Sequence, residues 1–117
     1  MKKDDNIIVD KSYKFALRIV NMFKFISKEK HEYVLSKQVL RSGTSIGALI
    51  QEAVHAESPA DFIHKLKIAA KEAEETEYWL LLCKQSKHYP TNEALLSDIN
   101  TIQRILTKII YTTKQQK

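Results

Sequence analysis

The sequence predicts an all-α protein that folds as an antiparallel, up-down four-helix bundle, and three observations support this. The chain of 117 residues contains only two glycines and two prolines, which favours long regular elements joined by short links. Apolar residues recur at helical spacing through four long segments, and no segment alternates as a strand does. Short links between successive segments make neighbouring helices antiparallel.

This length is typical of one domain, so the whole chain, residues 1–117, is expected to form a single bundle. The predicted helices are at about residues 11–30, 33–56, 59–86 and 91–114.

The first predicted helix follows a frayed lead at residues 1–9, with Asp10 or Ser12 as its N-cap. Tyr13 and Leu17 widen its apolar arc beyond what one core face needs. They contact another subunit or are scattered surface apolar residues, which are common. The predicted core stripe is Phe15, Ile19, Met22, Phe23 and Ile26.

The second predicted helix contains both glycines of the chain, Gly43 and Gly47. Each glycine costs about 0.5–1 kcal/mol relative to alanine in a helix, so this segment is expected to pack tightly on a neighbouring helix or another chain. Its predicted seam follows heptad spacing with one small polar residue. The seam residues are Leu35, Val39, Ser42, Ile46, Leu49 and Ala53.

The third predicted helix begins at Ser58-Pro59-Ala60-Asp61, with Ser58 as the N-cap and proline at the first helical position. Small residues in the middle of its seam are expected to face the glycine-containing stretch of the second helix. Ile68, Trp79 and Leu82 flank the seam and form a subunit contact or the edge of the bundle. The predicted seam is Phe62, Leu66, Ala69, Ala73, Thr76, Leu80 and Cys83.

Counting back from the turn between the second and third helices places Ala73 opposite Arg41. We therefore predict an ion pair between Arg41 and Glu72, with Glu75 as the other candidate partner. Glu52 is expected to pair with Lys65 in the same way. Charges at a core edge need partners, because an unpaired one is costly. The predicted structural polar layer is Arg41, Ser45, Glu52, Glu72 and Glu75.

The fourth predicted helix follows a break at residues 87–90, with Thr91 as its cap and Glu93 in its first turn. Its apolar stripe is Leu95, Ile99, Ile102, Leu106 and Ile109.

The net charge of +5 is concentrated at the two ends of the sequence. Residues 1–30 hold eight Lys or Arg against four Asp or Glu, residues 91–117 hold four against two, and residues 31–90 hold seven against eight. This surplus indicates either a basic face that meets phosphate or a basic protein with lysine-tipped helices. The candidate nucleic-acid-binding residues are Lys11, Lys14, Arg18, Lys28, Lys108 and Lys114.

Little in the sequence favours an enzyme. There is no phosphate-binding glycine loop, zinc spacing or nucleotide fingerprint, and no cofactor is expected. Glu52 and His55, with Asp61 and His64 near them, have part of the spacing of a di-iron site, but they lie off the predicted seams and the second Glu-x-x-His pair is missing. A metal-dependent enzyme at this end therefore remains a minor alternative, and Cys83 is expected to be a buried, inert thiol.

Location is also predicted from simple features. The single cysteine excludes an intrachain disulfide, and a charged N-terminus is unlike a signal peptide. No segment approaches the roughly 18 uncharged apolar residues of a membrane span. We expect a cytoplasmic protein with no membrane association.

Residues 38–48, QVLRSGTSIGA, resemble the central motif of the four helix bundle protein family, also called 23S rRNA intervening-sequence proteins. Some members are encoded in insertions within bacterial large-subunit rRNA genes. The resemblance covers about residues 10–90 and continues through Ser58, DFIHKL at 61–66, AAKEA at 69–73 and ETEYWL at 75–80. Two departures are Leu49, where the family usually has Asn, and Glu52-Ala53 in place of the Glu-Gly of many members.

The resemblance implies a bacterial, cytoplasmic, non-enzymatic bundle. Members of the family and the related accessory proteins of diversity-generating retroelements are associated with ring-shaped homopentamers, so the resemblance also implies a pentamer. The accessory proteins are linked to binding of nucleic acid and reverse transcriptase. Our hypothesis is a homo-oligomer that binds RNA or DNA through the basic residues of the first and fourth helices, without reading sequence. The alternative is a protein-interaction or scaffold module whose positive charge is incidental. The candidate oligomer interface is Tyr13, Leu17, Ile68, Trp79 and Leu82.

Overall fold

The computed structural model describes residues 3–86 and 93–115, which form four α-helices. They are α1 (Lys3–Glu29), α2 (Val34–Val54), α3 (Pro59–Gln85) and α4 (Glu93–Gln115). Each helix packs on its chain neighbour and α4 returns to α1, whereas diagonal helices make no close backbone contact within these ranges. The fold is therefore the predicted up-down four-helix bundle.

Contacts between named residues establish the antiparallel order. Along α2 from Arg41 to Glu52, the partners on α3 run backwards from Glu72 to Lys65. Likewise, the α4 residues Glu93 and Gln103 meet Lys84 and Glu77 of α3 in reverse order. The molecule measures 49 × 20 × 19 Å, so it is a slender rod about one helix long.

The predicted start of the first helix near Lys11 is wrong, because α1 begins at Lys3. Ile8 and Ser12 are buried and extend the core stripe towards the N-terminus. Ser12 is not a cap, since its Oγ donates to the Val9 carbonyl oxygen at 3.2 Å within the helix. Burial of Ile8 stabilises helical structure in a run that local propensity alone marks as weak.

The other helix bounds agree closely with prediction. α2 ends at Val54 rather than Ala56, and α3 ends at Gln85. Ser58 caps α3, since its Oγ accepts from the Asp61 backbone N at 3.1 Å. The predicted break at 87–90 and the Thr91 cap lie outside the described residues.

The link between α1 and α2 uses an arrangement that the sequence did not predict. His31 has φ 53°, a left-handed conformation that is common just after a helix C-terminus. Glu32 then turns its carboxylate onto the first turn of α2, where it accepts from the backbone N of Val34, Leu35 and Ser36 at 3.1 Å each. These bonds satisfy N–H groups that have no partner within the helix.

The core stripes of α3 and α4 match the prediction almost entirely, whereas that of α2 is shifted. Every residue of the predicted α3 seam is buried except Phe62, which is half-buried, and every residue of the predicted α4 stripe is buried. In α2, Ser36 and Ile50 are buried, whereas Leu35 and Leu49 are only partly so.

The two glycines of α2 face α1, not α3 as expected. A Cβ atom on Gly43 would meet Ile19, and one on Gly47 would meet the Ser12 backbone. The reason is that α2 packs between α1 and α3, and both glycines lie on the side of α2 that faces α1, where they allow close approach of the backbone.

Candidate functional site

A polar cluster joins the outer edges of α2 and α3. Arg41 Nη1 donates to the Glu72 carboxylate at 3.1 and 3.3 Å, and its other terminal nitrogen pairs with Glu75. Trp79 donates its indole N–H to Glu75 Oε2 at 3.3 Å. The structure thus confirms the predicted Arg41–Glu72 pair and shows that Glu75 is a second partner rather than an alternative.

Exposure determines what this cluster can do. The Arg41 side chain is 52% exposed, whereas that of Glu72 is only 17% exposed. Arg41 therefore compensates a carboxylate that is partly removed from water. The cluster is a brace between two helices, and all its charges are engaged with each other.

The two remaining members of the predicted polar layer lie outside this cluster. Glu52 pairs with Lys65 at 3.2 Å, as predicted, about three helical turns from Arg41. Ser45 Oγ donates to the Ser42 carbonyl oxygen at 2.8 Å within α2. The predicted layer is therefore two separate ion-pair sites, with a serine hydroxyl that bonds locally between them.

The basic residues of α1 gather at the groove between α1 and α4. Lys11, Lys14 and Arg18 line a small cavity of about 140 Å³ there, together with residues of α4. Two acids interrupt this groove: Asp10 pairs with Lys14 at 3.0 Å, and Asp98 pairs with Arg18. The groove is basic overall, but two of its three cations already have carboxylate partners.

The other predicted nucleic-acid contacts are more widely placed. Lys108 and Lys114 lie on the same pair of helices, in the C-terminal half of α4. Lys28 is in the last turn of α1, about 15 Å along the axis from Arg18 at 1.5 Å per residue. The six candidates therefore do not form one compact cluster: Lys11, Lys14 and Arg18 gather at the groove, whereas Lys28 and Lys114 lie towards opposite ends of the α1–α4 pair.

The candidate interface residues lie on both sides of α2. Tyr13, Leu17 and Leu82 are exposed, and Ile68 and Trp79 are half-buried. Beside Tyr13, a mostly apolar groove of about 190 Å³ runs between α1 and α2. Its lining includes Val9, Ala16, Gly47 and Ala48, so small side chains form its floor.

The sequence analysis missed one polar surface on α4. We name it the α4 outer stripe: Asn100, Arg104, Thr107 and Tyr111, all exposed and spaced at i, i+4, i+7 and i+11. Asn100, Arg104 and Thr107 also border a shallow depression with Gln103. The sequence carries one signal for this surface, which is the absence of any acidic residue after Asp98.

Cys83 is fully buried, as predicted. Burial, with a smaller contribution from the negative charge of Glu32, raises the pKa of its thiol to about 11. The thiol is therefore protonated near neutral pH and a poor nucleophile.

Two further features concern metals and membranes. Within residues 3–86 and 93–115, no group of three or more His, Cys, Asp or Glu side chains is placed to hold a metal ion. Glu52 is paired with Lys65, and the His55 side chain is exposed at the end of α2. None of the four helices, over the parts described, is long and apolar enough to cross a membrane.

Comparison with known proteins gives a consistent result. Residues 4–108 match the family described as 23S rRNA-intervening sequence protein. A crystal structure of a protein of unknown function from the S23 ribosomal protein family of Bacteroides thetaiotaomicron is similar, with 52% sequence identity and a TM-score of 0.89, over 92% of this chain and 98% of that one. A search of curated proteins found no match. Because the family match spans nearly the whole bundle, this chain belongs to the 23S rRNA-intervening sequence protein family.

Proposed function

We propose that this protein is a non-enzymatic, self-associating helical bundle that binds RNA or DNA through basic residues of α1 and α4. The observation that carries the proposal is the distribution of charge between the two sides of the bundle. α1 and α4 together contain nine Lys or Arg against six Asp or Glu, whereas α2 and α3 contain six of each. The positive surplus of the four helices thus lies in α1 and α4.

The contacts on the two sides support this assignment. Between α2 and α3, Arg41 neutralises Glu72 and Glu75, and Lys65 neutralises Glu52. Asp10 and Asp98 lower the charge of the α1–α4 groove without cancelling it. The name of the family links its members to ribosomal RNA genes, which is compatible with a phosphate-binding surface. Such a surface holds a nucleic-acid backbone without reading its sequence.

Fluorescence anisotropy of a labelled, structured RNA at about 50 and 200 mM salt tests this proposal, because phosphate contacts release counterions and make binding strongly salt-dependent. We expect binding that weakens by orders of magnitude between the two conditions. Lys11→Glu with Lys14→Glu should abolish it. Lys67→Glu with Lys71→Glu, which makes the same charge change on exposed positions of α3, is the matched control and should affect binding much less.

Absence of binding by the wild-type protein at the lower salt would overturn the proposal. Equal losses in the two charge-reversal variants would also overturn the assignment to α1 and α4, since the effect would then come from net charge alone.

Self-association is the second part of the proposal, and exposed apolar side chains support it. Tyr13 is exposed and lines the apolar groove between α1 and α2, Leu17 is 49% exposed one turn further along α1, and Leu82 is exposed on α3. A closed homopentamer, as the family resemblance of the sequence implies, would cover Leu17 and Leu82. Light scattering after size exclusion should show a particle several times the 13.6 kDa chain mass.

A matched pair of variants tests which surface is buried. Leu17→Glu should dissociate the assembly, because it places a charge in a dry contact. Phe25→Glu, on the same helix and 45% exposed, should leave the assembly intact. A monomeric wild-type protein would contradict self-association and leave nucleic-acid binding to be judged by the anisotropy result.

The apolar groove between α1 and α2 favours one alternative, a protein-interaction or scaffold module. In that case Leu17→Glu would abolish binding of a partner protein, and the mass of the purified protein in solution would stay unchanged.

A further inference from the structure

The exposed side of α4 combines positive charge with polar and aromatic side chains. The α4 outer stripe lies opposite the buried apolar stripe of the same helix, and all four of its side chains are exposed. It combines an amide, a guanidinium, a hydroxyl and a phenol within about 17 Å, at 1.5 Å per residue. No acidic residue occurs between Ile99 and Gln115, whereas Arg104, Lys108 and Lys114 all lie in this segment.

The helix dipole explains only part of this pattern. Cations in the last turn of a helix are stabilised by its partial negative charge, and this accounts for Lys114. The effect falls off within one turn, so it does not account for Arg104 in the middle of α4. Arg104 therefore adds positive charge to the exposed side of α4 at a position that the dipole does not favour.

Local hydrogen bonds organise the stripe for binding. Arg104 Nη2 donates to Thr101 Oγ1 at 3.3 Å, which aligns the guanidinium along the surface and leaves it exposed. Thr101 also lines the basic cavity between α1 and α4, so the stripe continues the surface formed by Lys11, Lys14 and Arg18. Gln103 Nε2 donates to Glu77 at 3.3 Å and anchors the opposite border of the depression.

Tyr111 supplies an aromatic surface at the end of the stripe. Its side chain is 65% exposed, with Lys108 three residues before it and Lys114 three residues after it. Tyr78 on α3 is similarly exposed at 58%, but Trp79 meets its ring edge-on at 5.2 Å, and Glu74 and Glu77 flank it. Only Tyr111 of these two therefore offers an aromatic ring in a positively charged setting.

We propose that the α4 outer stripe binds a single-stranded segment of nucleic acid. Arg104 and Lys108 contact phosphates, an unpaired base stacks on the Tyr111 ring, and Asn100 and Thr107 hydrogen-bond to neighbouring groups. An unpaired strand fits this surface better than a duplex, because the bases of a duplex are already stacked on each other. This inference rests on the proposed function and specifies its ligand and its point of contact.

Anisotropy with a fluorescein-labelled oligouridine and a blunt RNA duplex of the same length tests the inference. Tyr111→Ala should weaken oligouridine binding about tenfold or more, as loss of one stacked base does in other proteins. Tyr111→Phe should bind like the wild type, since a phenyl ring stacks equally well. The control Tyr78→Ala should also bind like the wild type, and duplex affinity should be the same in all three variants.

Binding of an oligodeoxythymidine of the same length shows whether the surface distinguishes single-stranded RNA from single-stranded DNA. Equal binding of the two oligonucleotides assigns recognition to base and phosphate, whereas a preference for oligouridine adds a contact to the 2′-hydroxyl. Circular dichroism of each variant confirms that the exposed substitutions leave the fold intact.

The outcomes separate this inference from the proposed function. If Tyr111→Ala binds oligouridine as the wild type does, or if wild type prefers the duplex, the inference is wrong. If Lys11→Glu with Lys14→Glu still abolishes binding in that case, the proposed function stands without it. No binding of any probe by wild type at low salt overturns both.

Discussion

Gly43 of α2 packs directly against Ile19 of α1, so closely that a Cβ atom on the glycine would lie 2.9 Å from Ile19 Cγ1. Ile19 is fully buried, and its β-branched side chain has little rotamer freedom in a helix. Gly47, one turn further along α2, approaches α1 less closely, since its Cβ would lie 3.4 Å from the Ser12 carbonyl oxygen. The two glycines therefore differ in how much space surrounds them.

This difference predicts opposite effects of the same substitution. Gly43→Ala should lower the free energy of unfolding by about 1–3 kcal/mol, because the added methyl group overpacks the α1–α2 contact. Gly47→Ala should raise it by up to about 1 kcal/mol, because alanine is the better helix former. Urea denaturation of the two variants checks this. Stabilisation by Gly43→Ala would contradict the close approach.

The carboxylate of Glu32 should contribute to stability through α2. It accepts three backbone N–H bonds at the start of that helix. Glu32→Ala should therefore cost about 1–2 kcal/mol, the usual range for loss of a helix cap. Thermal unfolding measures the effect, and Glu74→Ala, at an exposed position within α3, serves as the control with little expected change.

Arg41 should contribute less to the free energy of unfolding than its two ion pairs suggest. Its side chain is half-exposed, and exposed pairs contribute about 0–1 kcal/mol. Glu72 is mostly shielded from water, so Arg41→Ala leaves its charge poorly compensated and should cost about 1 kcal/mol. Arg41→Ala combined with Glu72→Gln should be less destabilising than the sum of the single changes. Additive effects in this double-mutant cycle would mean that the two residues do not interact.

The raised pKa of the Cys83 thiol predicts that stability declines at alkaline pH. Its pKa is raised from 9.0 to about 11 in the folded protein, so between these values the folded state holds a proton that the unfolded state has released. The free energy of unfolding should therefore fall as pH rises from about 9 to about 11, because the unfolded state binds fewer protons. Cys83→Ala, although less stable throughout, should lose this component of the slope. Parallel pH profiles for the two proteins would contradict the raised pKa.

The sequence was most informative about features that are set within one helix or between two helices joined by a short turn. The Ser58 cap, the buried stripe of α4 and the Arg41–Glu72 pair were all predicted from spacing within a helix or across one short turn. The start of α1 was missed because Ile8 is helical through burial against distant residues. The α4 outer stripe was missed because exposed polar residues give no periodic hydrophobic signal.

By itself, the sequence determined the helix class, the up-down order of the helices and most residues of the core, because hydrophobic periodicity and turn signals are local. Only the tertiary structure decided that Gly43 and Gly47 face α1, and that Asp10 and Asp98 enter the basic groove. Both depend on the rotation of each helix about its own axis. That rotation is set by packing against two neighbours at once, and it decides which charges and which small residues meet.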